Sequence, residues 1–99
     1  MAKVKFKKWN CIVEKKQYIN GRIALMLTDE ETGEPVATAS VNIEEYRMSD
    51  RSKKDHTFIK DYSENEGMLE ALIKAGIVEH TGLQFPIGFV KASLVKVLI

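Results

Sequence analysis

Lys60–Gly76, KDYSENEGMLEALIKAG, is the one stretch where a helix start, an apolar stripe and a helix stop agree. Ser63 followed three residues later by Glu66 has the form of a capping box, in which hydroxyl and carboxylate each satisfy a free backbone N–H of the first turn. Glu64 and Glu66 suit the positive end of the helix dipole. Leu69, Leu72 and Ile73 follow at i, i+3 and i+4. Lys74 sits in the last turn, and Gly76 can take the left-handed conformation that ends helices. The spacing predicts one helix over about 64–75. About three turns of helix are not stable alone in water, so the Leu69/Leu72/Ile73 face must lie on another element. Gly67 in the first turn costs about 1 kcal/mol relative to alanine, which predicts a close backbone approach there, by the sheet or by a partner.

The partner element is a sheet, because the rest of the chain alternates with period two. Lys3, Lys5 and Lys7 oppose Val4 and Phe6, while Trp9, Cys11 and Val13 continue in the other phase. The slip at Lys7-Lys8-Trp9 marks either a bulge or the start of a second strand. Asn20-Gly21 predicts a type I′ hairpin turn joining Trp9–Ile19 to Arg22–Thr28. The polar run Asp29–Pro35 is a turn. Val36–Ile43 alternates again, with small residues at 37 and 39 that allow a close approach. Glu44–His56 reads as a long mobile loop, and Thr57–Lys60 as a short strand leading into the helix. After Gly76 come a short strand at Ile77-Val78, a turn at Thr81-Gly82 and a brief pairing at Leu83–Phe85. Pro86 and Gly88 point to an edge, bulge or loop. The tail from Phe89 to Ile99 is strand with a phase change. The expected fold is α+β: an antiparallel sheet of about five strands, opening as a meander, with one helix on one face. Trp9, Cys11, Val13, Ile23, Leu25, Leu27, Ala37, Ala39 and Val41 form the expected inner face.

Ninety-nine residues without a linker or repeat read as a single domain, 1–99. No apolar run approaches the length of a membrane span, and the basic N-terminus lacks the apolar core of a signal peptide. One cysteine, Cys11, allows no internal disulfide, so a reducing cytoplasm is the expected setting. The net charge of +1 conceals segregation: residues 1–16 hold six lysines and one glutamate, and residues 17–46 hold Arg22 and six acids.

Catalytic and metal motifs are not evident. Cys11, His56 and His80 lack the spacing of zinc ligands. Cys11 lies mid-strand beside apolar neighbours, unlike a catalytic thiol. Asp29–Glu34 does not follow the EF-hand pattern, and no phosphate loop or nucleophile elbow occurs. The expectation is therefore no enzyme, no cofactor and no metal.

KFKKWNCIVEKKQYINGRIALML, GEPVATASVNI, KDYSENEGMLEALIKAGIVEHTG and a late GFV together resemble a family of small proteins of about this length and of unknown function, carried by phages and integrative elements of Gram-positive and gut bacteria. The shared features include Asn20-Gly21, Gly33-Glu34-Pro35, Asn42, Lys60–Gly67, Gly76, Thr81-Gly82 and Gly88. The resemblance spans nearly the whole chain and implies a context: accessory proteins of mobile elements either inhibit host defence, anti-CRISPR proteins among them, or assist element replication. It carries over no functional residue.

Two functions fit these features. The first is a non-enzymatic protein that docks on a host protein, such as a defence nuclease, through acids that compete for a basic groove: Asp29, Glu30, Glu31, Glu34, Glu44 and Glu45. The second is a single-stranded nucleic-acid-binding accessory protein. There Lys3, Lys5, Lys7 and Lys8, interleaved with Phe6 and Trp9, supply charge and stacking, and Arg47, Arg51, Lys53 and Lys54 extend the groove.

Overall fold

The computed structural model describes residues 2–99. Its strands are β1 (Lys3–Phe6), β2 (Trp9–Gln17), β3 (Ile23–Asp29), β4 (Pro35–Thr38), β5 (Ser40–Val41), β6 (His56–Ile59), β7 (Val78–Ile87) and β8 (Val90–Val97). A short helix, α1 (Asp50–Lys53), precedes β6, and α2 (Met68–Lys74) precedes β7. The class is α+β, and the expected meander is present as β1-β2-β3-β4, all antiparallel. The single five-stranded sheet is not: a second four-stranded sheet, β5-β6-β8-β7, stands beside the first. The chain changes sheets at Ala39, which is fully buried. Its N–H donates to the Leu25 carbonyl (2.8 Å) in the first sheet, and its carbonyl accepts from the Lys60 N–H (2.9 Å) just past β6. The methyl group of Ala39 belongs to the core. The result is a rolled sheet, open between edge strands β1 and β7, and α2 packs against both of those strands.

The core explains the closure. Val4, Phe6, Cys11, Val13, Ile23, Leu25 and Leu27 from the first sheet meet Ile59, Val78, Val95 and Val97 from the second, with Met68 and Leu72 of α2 beneath them. Trp9, Ala37 and Val41, expected inside, are only half-buried. Ile73 is 43% exposed; the face of α2 that goes inward is Met68/Leu72, one turn apart. A second apolar cluster of Ile43, Phe58, Ala92 and Leu94 lies on the far face of the second sheet, capped by Tyr46, Met48 and Phe85. This is why Ala92, Ser93, Leu94 and Val95 are buried in succession: both faces of β8 are covered, and the phase change in the tail reflects burial on both sides. It also corrects the mobile loop. Residues 44–55 carry α1, capped by the Ser49 hydroxyl, and the buried guanidinium of Arg22 donates to the carbonyls of Ile43 and Tyr46.

Local signals resolve in instructive ways. Phe6 pairs with Trp9, so the phase slip is a tight turn with Lys7 at φ 54°, and a new strand begins at Trp9. Asn20-Gly21 does not make a type I′ turn. Tyr18 N–H donates to the Arg22 carbonyl and Gly21 N–H to that of Tyr18, leaving a three-residue loop closed by Gly21 at φ 85°. Thr81-Gly82 is a bulge inside the continuous strand β7, where the register shifts between His80 and Gln84.

The helix begins later than expected. Residues Ser63–Asn65 form a 3₁₀ turn, and the capping box does not form: the Glu66 N–H donates to the Ser63 backbone carbonyl (3.2 Å) and not to its hydroxyl, and neither Tyr62 nor Gly67, which precede the 3₁₀ turn and α2, supplies a side-chain cap. Asp61 does that work from outside, its carboxylate accepting the Leu69 N–H at 2.9 Å. Gly67 precedes α2 at φ 94°, and nothing lies within 4 Å of where a Cβ would be. The glycine answers a backbone conformation, not the close approach expected there. The far end matches expectation: Gly76 donates to the Ile73 carbonyl and Ile77 to that of Leu72, the paired bonds of a Schellman motif. Among the described residues, no helix is long and apolar enough to cross a membrane.

Candidate binding groove

A groove of about 650 Å³ runs beside β4, between that strand and the segment that leads into α2. Six parts of the chain build it. The β1–β2 turn brings Lys7, and the start of β2 brings Trp9. Tyr18 reaches in from the end of β2. Val36, Ala37 and Thr38 form one wall, and Lys60, Glu64 and Asn65 the other. Ser40 and Asn42 line it where the chain continues past the corner.

Hydrogen bonds fix most of these groups. The Tyr18 and Ser40 hydroxyls share one at 2.8 Å. Asn65, 2% exposed, donates its amide to the Thr38 carbonyl at 2.8 Å, tying the 3₁₀ turn to β4. Asn42 accepts from the Asn20 amide at 3.1 Å. Lys60 donates to the Glu64 carboxylate four residues on. That bond raises the Lys60 pKa and, from the other side, lowers that of Glu64. Lys7 donates to the Glu64 backbone carbonyl at 2.9 Å, and its charge adds to that of Lys60 in lowering the Glu64 pKa. Lys8 lies over the Trp9 ring, 5.3 Å from its centroid, in cation–π range. A half-buried indole and a half-buried phenol thus share an open groove with the ammonium groups of Lys7 and Lys60, the Glu64 carboxylate and two carboxamides, a lining of net positive charge that can hold a planar aromatic ligand bearing negative charge.

Of the basic residues singled out in sequence, Lys7 lines this groove and Lys8 stands on its tryptophan. The aromatic that remains open beside the lysines is Trp9; Phe6, 3% exposed, is core, although it lines the groove floor. Lys3 instead pairs with Glu30 at 2.7 Å, and Lys5 is exposed on edge strand β1. The loop cations do not extend the same groove: Lys53 and Lys54 line a separate one with Lys15 and Lys16, and Arg47 and Arg51 are exposed. Tyr18, Asn42, Lys60 and Asn65 escape sequence reasoning because they come from three separate segments. Their meeting depends on the corner at Ala39.

The acidic residues fall into two groups. Asp29 shapes the β3–β4 turn, its carboxylate accepting N–H bonds from Glu31 (2.8 Å) and Thr32 (3.3 Å), while Glu30 is engaged with Lys3. Glu31 and Glu34 are exposed on the same turn. Glu44 and Glu45 are also exposed but follow β5, at the other end of the β4–β5 segment. Glu45 borders a smaller groove of about 440 Å³ with Tyr62, Phe85 and Ile87.

Cys11 is 1% exposed. Burial first, and then the nearby Asp29 and Glu30 charges, push its thiol pKa up, the opposite of an activated nucleophile. His56 is bonded to Asp55 at 2.6 Å. Among the described residues, no three His, Cys, Asp or Glu side chains lie close enough to hold a metal ion. No protein-family model matches the chain, and neither a curated protein nor a solved structure does.

Proposed function

We propose that this chain is a non-enzymatic binding protein whose working surface is the groove beside β4, and that its ligand is single-stranded nucleic acid. The observation that carries this reading is the convergence of Trp9 and Tyr18 with Lys7 and Lys60 around about 650 Å³ of open space. Bases stack on aromatic rings regardless of sequence, at about 1–3 kcal/mol per base, while lysines attract the backbone. Asn42 at the groove's end adds a carboxamide for a base edge. The resemblance to proteins of phages and integrative elements supplies a setting, the cytoplasm of a bacterial host, where displaced single strands accompany replication.

Fluorescence polarisation with a labelled oligothymidylate at low salt tests the reading. The expected dissociation constant is roughly 10⁻⁴–10⁻⁶ M at physiological salt and tighter at the low salt of the titration. Trp9→Ala should weaken it roughly 5- to 150-fold, the equivalent of one lost stack. Absence of binding, or binding indifferent to Trp9→Ala, contradicts it.

A second reading is docking on a host protein, including inhibition of a defence nuclease in the manner of anti-CRISPR proteins. Two side chains favour it. Ile19 and Phe89 project fully into solvent, at 109% and 108% exposure, from the tips of the β2–β3 and β7–β8 hairpins. Exposed apolar side chains of that kind can serve as anchors in a partner's pockets. The divided acids leave this reading with two smaller charged patches in place of one acidic face.

A further inference from the structure

Between the end of β2 and α1 lies a second groove, of about 450 Å³, lined by Lys15, Lys16, Lys53 and Lys54 with Gln17 and the edge of Ile23. These lysines come from two segments more than thirty residues apart, so folding alone makes the cluster. Three are exposed, and Lys53 is half-buried. Their compensation is partial. Lys16 lies 3.6 Å from Glu14 and Lys53 lies 3.7 Å from Asp50, loose exposed pairs of little strength. Lys15 donates to the main-chain oxygen of Ile99 at 2.9 Å. Lys54 has no ion pair among the described residues. A groove with four ammonium groups and two loosely placed carboxylates selects for a polyanion.

Continuity decides which polyanion. Strand β2 starts with Trp9 in the first groove, and Lys15 stands six residues on, about 20 Å at the rise of an extended strand. Tyr18, which lines the first groove, is the next residue after Gln17, which lines the second. Trp9 thus lies about 20 Å from the lysines and Tyr18 beside them, so a chain lying on both grooves must offer stacking faces together with regular negative charge along its length. Single-stranded nucleic acid does both; an acidic peptide offers only the charge. We propose that the β2–α1 groove holds the phosphodiester backbone of a strand whose bases stack on Trp9 and Tyr18. This rests on the single-strand reading above and extends it to four lysines, two of which, Lys15 and Lys16, lay outside the basic set marked in the sequence.

The test is the salt dependence of binding to a labelled oligothymidylate of roughly 12 nucleotides, within the range one small domain covers. Each phosphate neutralised on a single strand contributes about 0.7 to the slope of log affinity against log salt. The variant carrying Lys15→Gln, Lys16→Gln, Lys53→Gln and Lys54→Gln should therefore lose about 3 from the slope, making its affinity about 50-fold less sensitive to a change from 50 to 200 mM salt. A charge-matched control with Lys3→Gln, Lys5→Gln, Lys91→Gln and Lys96→Gln should keep most of the wild-type slope. If wild type binds and both variants lose equally, or neither loses, the groove assignment fails while the single-strand reading survives. If wild type does not bind at all, both fail. Displacement of the oligonucleotide by polyglutamate at equal charge concentration would also overturn the assignment, by showing an acidic polypeptide to be as good an occupant.

Discussion

Asp61 holds the Leu69 N–H from eight residues upstream, an arrangement that lets α2 begin at a left-handed glycine with no side chain of its own to cap it. A side-chain acceptor at this position contributes about 1 kcal/mol. Asp61→Ala should lower the stability measured by urea unfolding by about that amount. Ser63→Ala should change it by no more than about 0.5 kcal/mol, the usual range for an exposed site. Equal losses would restore the capping box that the sequence pattern suggests. The pattern misleads because Ser-x-x-Glu states which groups are available for bonding, not which backbone conformation they adopt. Ser63 sits at φ 54° inside a 3₁₀ turn, anchored through Asn65 to β4, and the backbone has turned away before Glu66 can reach back. At Gly67 and Gly76 the residue type does carry the answer, because a positive φ leaves few other choices.

α2 closes the gap between β1 and β7, and its orientation is set by which two residues point inward. Met68 and Leu72 are fully buried, whereas Ile73 is 43% exposed. Leu72→Ala should therefore cost about 2–5 kcal/mol, as for a buried leucine, and Ile73→Ala about 0.5 kcal/mol or less; thermal or urea unfolding of the pair measures the difference. Comparable losses would put the helix in a different rotation. The meander of β1 to β4 was legible from alternation and turn residues. The split into two sheets was not, because the decisive feature is a single alanine whose backbone bonds both ways, and Ala39 looks like any small residue in a strand. Likewise Thr81-Gly82 reads equally well as a turn or as a bulge within β7. The difference lies in whether β8 is long enough to pair on both sides of it, which is a property of another segment.

Across the whole molecule, charge that is segregated along the chain becomes distributed in space. The acids of the β3–β4 turn neutralise part of β1 through Lys3 and Glu30, while Lys7 and Lys8 remain beside Trp9 and Lys15 and Lys16 join Lys53 and Lys54. Of the groove, the sequence displays Lys7, Lys8 and Trp9 as neighbours. The opposite wall arrives through long-range contacts that no local pattern encodes. Trp9 is the only tryptophan, so its emission reports on this groove and on no other surface. The decisive measurement is the intrinsic fluorescence of the wild-type protein titrated with unlabelled oligothymidylate at low salt. Stacking of a base on Trp9 predicts saturable quenching, with a midpoint that matches the polarisation titration and moves to higher concentration as salt is added. Emission that stays constant while the oligonucleotide binds, or no binding at all, would contradict the groove as the working surface of this protein.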